Sequence, residues 1–227
     1  MDFLLLGREL PAFNLRLEKG KPPYLRYENH ALVRLRRGWY GTSETLRWID
    51  LILDDVETEA FATAYRIVIQ RFAELIGEDH PTQLSFFKRC VEWGQTQPAL
   101  TGTDKSDFEN VLEEPALLPF VWMNWLPCSL PDAPSAPTAP FRVDFVLLYE
   151  GRRLVIELNS PTQFTEYVVD PQLRGMRVHP CYERFTMLLR QDRWLRRQGW
   201  EVFRFSQQEV EMEPIELFMA DLGVWSR

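Results

Sequence analysis

Residues 142–159 read Arg142-Val-Asp144-Phe-Val-Leu-Leu-Tyr149-Glu150-Gly151-Arg152-Arg-Leu-Val-Ile-Glu157-Leu-Asn159. Two runs of β-branched and apolar residues flank a Glu-Gly pair, the pattern of two antiparallel strands joined by a two-residue turn. A hairpin symmetric about Glu150-Gly151 pairs Tyr149 with Arg152, Val146 with Val155, Asp144 with Glu157 and Arg142 with Asn159. Two carboxylates directly opposite each other on neighbouring strands stand roughly 5 Å apart at Cβ and repel. A fold tolerates them when a proton or a metal ion lies between. The hairpin is therefore a candidate divalent-metal site. The alternative is an ordinary ion-pair network of Asp144 and Glu157 with Arg142 and Arg153.

Outward from the hairpin, the pattern predicts a mixed α/β arrangement. A strand is expected around Phe120–Trp125 and a Pro-rich linker over 127–140. An irregular loop is expected over 160–180, where Pro161, Pro171, Gly175 and Pro180 fall. A helix over 182–198 follows, with Phe185, Leu188, Leu189, Trp194 and Leu195 as its apolar side and Gly199 at its end. Then come a strand from Trp200 to Phe205 and a last helix over about 207–220. A helix–strand crossover from the hairpin to the 200–205 strand places the two strands parallel in one sheet. Asp192 sits at helical spacing near the apolar side, where pairing with Arg204 of the next strand is its expected role. Trp122, Trp125, Trp194 and Trp200 are read as core rather than as base-stacking platforms.

Upstream, residues 1–40 read as short strands and turns, with helices over 44–54, 57–77 and 81–95. The polar stretch Thr96–Lys105 breaks the pattern and is taken as a boundary. It separates a mainly helical N-terminal domain (1–100), which binds a partner or positions substrate, from a C-terminal domain (106–227). Ser106-Asp-Phe-Glu109 has the spacing of a capping box opening a short helix.

The bulk composition fits a folded chain: 227 residues, 45% hydrophobic and 13% aromatic. The net charge of −7 and pI of about 5.1 argue against unaided tight binding to nucleic acid. Basic groups are nonetheless clustered on the 184–197 helix. Three separated cysteines, Cys90, Cys128 and Cys181, give neither a disulfide framework nor a metal motif. With no signal-like or membrane-spanning run, a reduced cytoplasmic setting away from membranes is expected.

The strings RVDFVLLYEGRRLVIELNS (142–160) and YERFTMLLRQDRWLRRQGWEVFRFSQQEV (182–210) together resemble the PD-(D/E)XK nuclease superfamily. The likeness is greatest to its very-short-patch-repair-like endonuclease branch and covers about residues 106–210. It implies a restriction-endonuclease-like mixed sheet flanked by helices. It also implies a Mg²⁺- or Mn²⁺-dependent endonuclease acting on DNA phosphodiester bonds, in defence, repair or mobile-element processing. By position, Asp144 and Glu157 resemble the two metal-binding acids and Glu109 a third. Asn159 stands where the family often has Lys or Asp, and Gln163 where the branch tends to carry His. The Leu158 carbonyl lies between the two site-facing side chains as a further metal donor.

The chain departs from the pattern in one respect. Its lysines are Lys19, Lys21, Lys88 and Lys105, so none follows residue 105. Asn159, Gln163, Arg184 or Arg190 would have to substitute, and Arg142, Arg184 and Arg190 are the candidate nucleic-acid contacts. A second reading follows from the missing lysine and the acidic pI. On that reading the chain is a catalytically degraded nuclease-fold subunit that binds nucleic acid, or a protein partner through the N-terminal domain.

Overall fold

The computed structural model describes residues 3–9, 12–16, 24–28, 31–34, 45–51, 61–96, 111–123, 140–170 and 175–224. Its centre is a six-stranded mixed sheet. In chain order the strands among the described residues are β1 (Phe3–Leu6), β2 (Ala12–Arg16), β3 (Tyr24–Glu28), β4 (Ala31–Arg34), β5 (Leu118–Met123), β6 (Phe141–Tyr149), β7 (Arg152–Asn159), β8 (Thr165–Asp170), β9 (Gly175–Pro180) and β10 (Glu201–Ser206). The main sheet runs β10-β7-β6-β5-β1-β4, while β2-β3 and β8-β9 are separate two-stranded ribbons. The helices are α1 (Trp48–Leu51), α2 (Phe61–Ile76), α3 (Pro81–Thr96), α4 (Tyr182–Arg197), α5 (Gln207–Met212) and α6 (Ile215–Leu222).

The hairpin forms in the predicted register, with Tyr149 opposite Arg152 and Val146 opposite Val155. Glu150 and Gly151 both have positive φ, 48° and 76°. A two-residue turn with two left-handed residues matches the twist of the strands it joins. The strand β10 then returns parallel to β7, pairing from Glu201↔Leu154 to Ser206↔Asn159, with α4 as the connection. Gly199, at φ 78°, follows α4 in the left-handed conformation that glycine adopts at least cost.

The sheet is covered by α3, which carries two aromatic clusters. Phe86 meets Phe145, Phe205 and Phe218, and Phe87 meets Trp48 and Phe72. Arg89 of α3 also bonds the carbonyls of Val210 and Glu213, tying it to the C-terminal helices. The core is continuous from Leu6 and Trp48 through Phe86 and Phe145 to Phe205 and Phe218. Thus β1 and β4, from the stretch assigned by sequence to an N-terminal domain, are strands of the same sheet as β5, β6, β7 and β10. The expected boundary at 96–105 falls almost wholly outside the described residues, as do Glu109, Trp125 and the 127–139 linker.

Three local expectations are corrected. The described residues of segment 160–180 form a 3-10 turn (Pro161–Gln163) and the β8-β9 ribbon: Pro161 opens the turn and Pro180 ends β9, while Tyr167-Val168-Val169 and Met176-Arg177-Val178 favour extended backbone. The final helix is two, since Pro214 cannot continue α5 and instead precedes α6. On α4, Leu195 is buried and Trp194 packs on Phe141. Phe185 and Leu189 are exposed instead, along with Tyr167, Val178 and Tyr182. The apolar side of α4 therefore meets the sheet only in its C-terminal half.

Candidate metal centre

The main-chain ladder between β6 and β7 determines the site. Residues 149↔152, 147↔154 and 145↔156 are opposite one another. In a two-residue hairpin these alternate positions are the hydrogen-bonded ones. The next such position belongs to Leu158. Its N–H donates instead to Asp144 Oδ2, at 2.8 Å. A carboxylate has taken the place of a backbone partner, and the last paired residues are Phe145↔Ile156. The expected Asp144–Glu157 and Arg142–Asn159 pairs therefore do not form as ladder pairs. The two strands fork at Asp144.

Within an extended strand a residue's N–H and C=O point to the same side, so the Leu158 carbonyl also faces the fork. Glu157 precedes it on β7. Asp144 is 7% exposed, and Gln83 Nε2 of α3 lies 3.4 Å from its Oδ1. Burial pushes the Asp144 carboxyl above the usual range, against the Leu158 N–H, Gln83, Arg142 and His80, which favour its ionised form. Glu157 is pushed well above its usual range, first by burial and then by the Asp144 charge; Arg204 and Arg142 oppose this and Asp192 adds to it. The pair thus resists holding two negative charges together. Among the described residues neither acid forms a salt bridge. Arg153 turns to the Gln198 carbonyl at 2.7 Å and lies over Trp200, and Arg142 is engaged elsewhere.

The strand facing Asp144 is distorted at the same level. Between the pairs Pro119↔Phe145 and Val121↔Val143, Phe120 has φ 52° and is fully buried. A left-handed bulky residue costs on the order of 1–3 kcal/mol. Its carbonyl is taken by Gly7 N–H at 3.0 Å. Its ring lies beneath the Arg142 guanidinium, 3.9 Å away, and against the edge of His80. Arg142 also donates to the Arg8 carbonyl at 3.1 Å. Arg142 is thereby stacked on the Asp144 side, rather than set beside Asn159 as its register position in the sequence suggested.

On the other side of Glu157, the expected Asp192–Arg204 pair is present. Arg204 Nη2 and Nε donate to Asp192 Oδ1 and Oδ2, at 2.5 and 3.3 Å. Arg204 Nη1 donates to Asn159 Oδ1 at 3.2 Å. Gln163 lies on the exposed 3-10 turn after β7, its N–H on the Ser160 carbonyl. Arg184 ties α4 to that turn through the Thr165 and Thr162 carbonyls, at 3.0 and 3.4 Å. Arg190 is exposed on α4. Two residues near Asp144, Gln83 and His80, were not anticipated. Their only mark in the sequence is the His-Pro-Thr-Gln start of α3.

The donors converging on the fork are two carboxylates and a backbone carbonyl. Among the described residues no cluster of three His, Cys, Asp or Glu side chains forms a metal cage. Hard oxygen donors in this number suit Mg²⁺ or Mn²⁺, which are commonly held by one or two carboxylates and water. Buried Asp144 and half-buried Glu157, neither in a salt bridge among the described residues, also place negative charge where a cation would neutralise it. No family model, curated protein or solved structure matches the chain. No described helix is long and apolar enough to cross a membrane.

Proposed function

We propose that the chain is a Mg²⁺- or Mn²⁺-dependent endonuclease of restriction-endonuclease-like fold that hydrolyses DNA phosphodiester bonds. The observation that carries this reading is the fork, where Asp144 interrupts the β6–β7 ladder beside Glu157 and the Leu158 carbonyl. The order of elements supports it too: acid-bearing strand, second acid-bearing strand, helix, then the Gly-Trp strand parallel to the second. A divalent ion in such a site relieves charge on the scissile phosphate and supplies an activated water. The chain's part is to hold the two acids against their repulsion, with Gln83 and the Leu158 N–H fixing the Asp144 rotamer. Arg142, restrained by Phe120 and the Arg8 carbonyl, presents a fixed positive charge on the Asp144 side, suited to a phosphate oxygen.

The test is cleavage of plasmid and linear DNA by wild type and Asp144→Ala in Mg²⁺ and Mn²⁺. Wild type is expected to cleave and the variant to fall to background. Equal cleavage by both would remove Asp144 from the mechanism. The second reading, a degraded nuclease fold serving as a binding subunit, is favoured by the absence of lysine after residue 105. Its mark is DNA or partner binding with no turnover in either ion.

A further inference from the structure

The position where the resemblance places a lysine is built here as a three-residue relay. Asn159 follows Glu157 by two residues on β7, so the two side chains lie on the same face of the strand. Arg204 is the register partner of Glu157 on β10. Its guanidinium is clamped through two nitrogens by Asp192 and reaches Asn159 Oδ1 with the third. Arginine has no acceptor, so the oxygen of the amide must face it. The Asn159 Nδ2 group is then directed away from Arg204. Among the described residues it has no hydrogen-bond partner, and the residue is only partly buried.

We propose that Arg204, oriented by Asp192, takes the place of the absent lysine: it sets the positive charge beside Glu157 and fixes the Asn159 amide so that Nδ2–H donates to a non-bridging oxygen of a bound phosphodiester. The proposal rests on the nuclease reading and extends it. It gives a physical reason for the missing lysine, since an ammonium at position 159 would lie against the Arg204 guanidinium and be repelled. It divides one residue's work between two: Arg204 supplies charge and Asn159 supplies contact. Asp192 and Arg204 are positioning residues, acting through Asn159 and Glu157.

The test measures two affinities: Mn²⁺ binding without DNA, and binding of a short fluorescein-labelled DNA duplex in Ca²⁺. Three variants are compared with wild type. Asn159→Asp keeps an acceptor for Arg204 but loses the donor. Asn159→Leu loses the donor without adding charge. Arg204→Lys keeps the charge but loses the fork that orients the amide. Each is expected to weaken Ca²⁺-dependent DNA binding by about tenfold or more, the loss of one charge-assisted hydrogen bond. Mn²⁺ affinity should be unchanged in Asn159→Leu and unchanged or tighter in Asn159→Asp. A merely structural relay would not separate the two affinities. Unchanged DNA binding in Asn159→Asp and Asn159→Leu overturns the proposal alone. A parallel loss of Mn²⁺ affinity in Asn159→Leu marks a collapsed site and also overturns it. Wild type that binds Mn²⁺ but no DNA overturns the nuclease reading, and the relay's role with it.

Discussion

Replacing Glu157 with Gln removes one of the two carboxylates at the fork while keeping its length and its capacity for hydrogen bonds. Two carboxylates roughly 5–8 Å apart, in an effective dielectric of about 20, repel by ~2–3 kcal/mol. Arg204 and Arg142 offset part of that repulsion in the wild type, and their attraction is lost with the charge. The net expectation for Glu157→Gln at pH 8 without metal is a gain in stability of about 1–2 kcal/mol, since a half-buried carboxylate facing a second one is a costly arrangement. The pH dependence has a definite sign. The folded pKa of Glu157 lies well above its ordinary 4.5, so the native state holds a proton that the unfolded chain has released. The Glu157 contribution to wild-type stability is therefore greatest below about pH 4.5 and is lost as pH rises through the elevated value. Glu157→Gln removes that part of the fall. Metal reverses it by another route: Mg²⁺ at about 100 times its Kd adds ~2.7 kcal/mol to a protein that binds it only when folded. The assay is urea denaturation followed by tryptophan fluorescence at pH 5 to 8, in EDTA or in Mg²⁺. A variant less stable than wild type at pH 8 in EDTA, or an unaltered pH slope, refutes the reasoning.

Glu114 offers an independent check on that slope. Burial raises its pKa to about 7, so it too costs stability as pH rises from about 4.5 to about 7. Glu114→Gln should flatten that interval, by at most ~3 kcal/mol at 1.36 kcal/mol per pKa unit, and leave the Mg²⁺ effect unchanged in the same urea titrations. At Phe120 the left-handed backbone predicts an inverted order of substitution. Phe120→Ala should lose about 3–5 kcal/mol for the vacated core, and Phe120→Gly about 1 kcal/mol less, because glycine adopts φ 52° without strain. Denaturation midpoints of the two variants decide it; Gly less stable than Ala would mean that the backbone conformation is not held.

The hairpin was legible because a two-residue Glu-Gly turn between two apolar runs sets the register on either side of it. The Asp192–Arg204 pair was legible because helix and strand spacing place both side chains at one level. The fork was not, since the symmetric register extends naturally past Asp144 and nothing in the local pattern shows a carboxylate replacing a ladder partner. Arg142 was placed beside Asn159 by that same extension. Gln83 lies 61 residues from Asp144, a separation that periodicity cannot bridge. The positive φ of Phe120 has no signature in composition, and the Gly7 N–H that meets its carbonyl is distant in sequence. Phe185 and Leu189 share the apolar side of α4 yet are exposed, since helical spacing gives a face but not what covers it. The missing lysine was visible at once; the arginine beside its position needed the parallel register of β7 and β10.

The most direct test of the central claim is Mn²⁺ binding measured by electron paramagnetic resonance, on wild type, Asp144→Asn and Glu157→Gln. Saturable Mn²⁺ binding by wild type, weakened by about tenfold or more in each variant as one ligand charge is lost, is the predicted result. Equal Mn²⁺ binding by all three proteins would place any metal elsewhere and contradict the account.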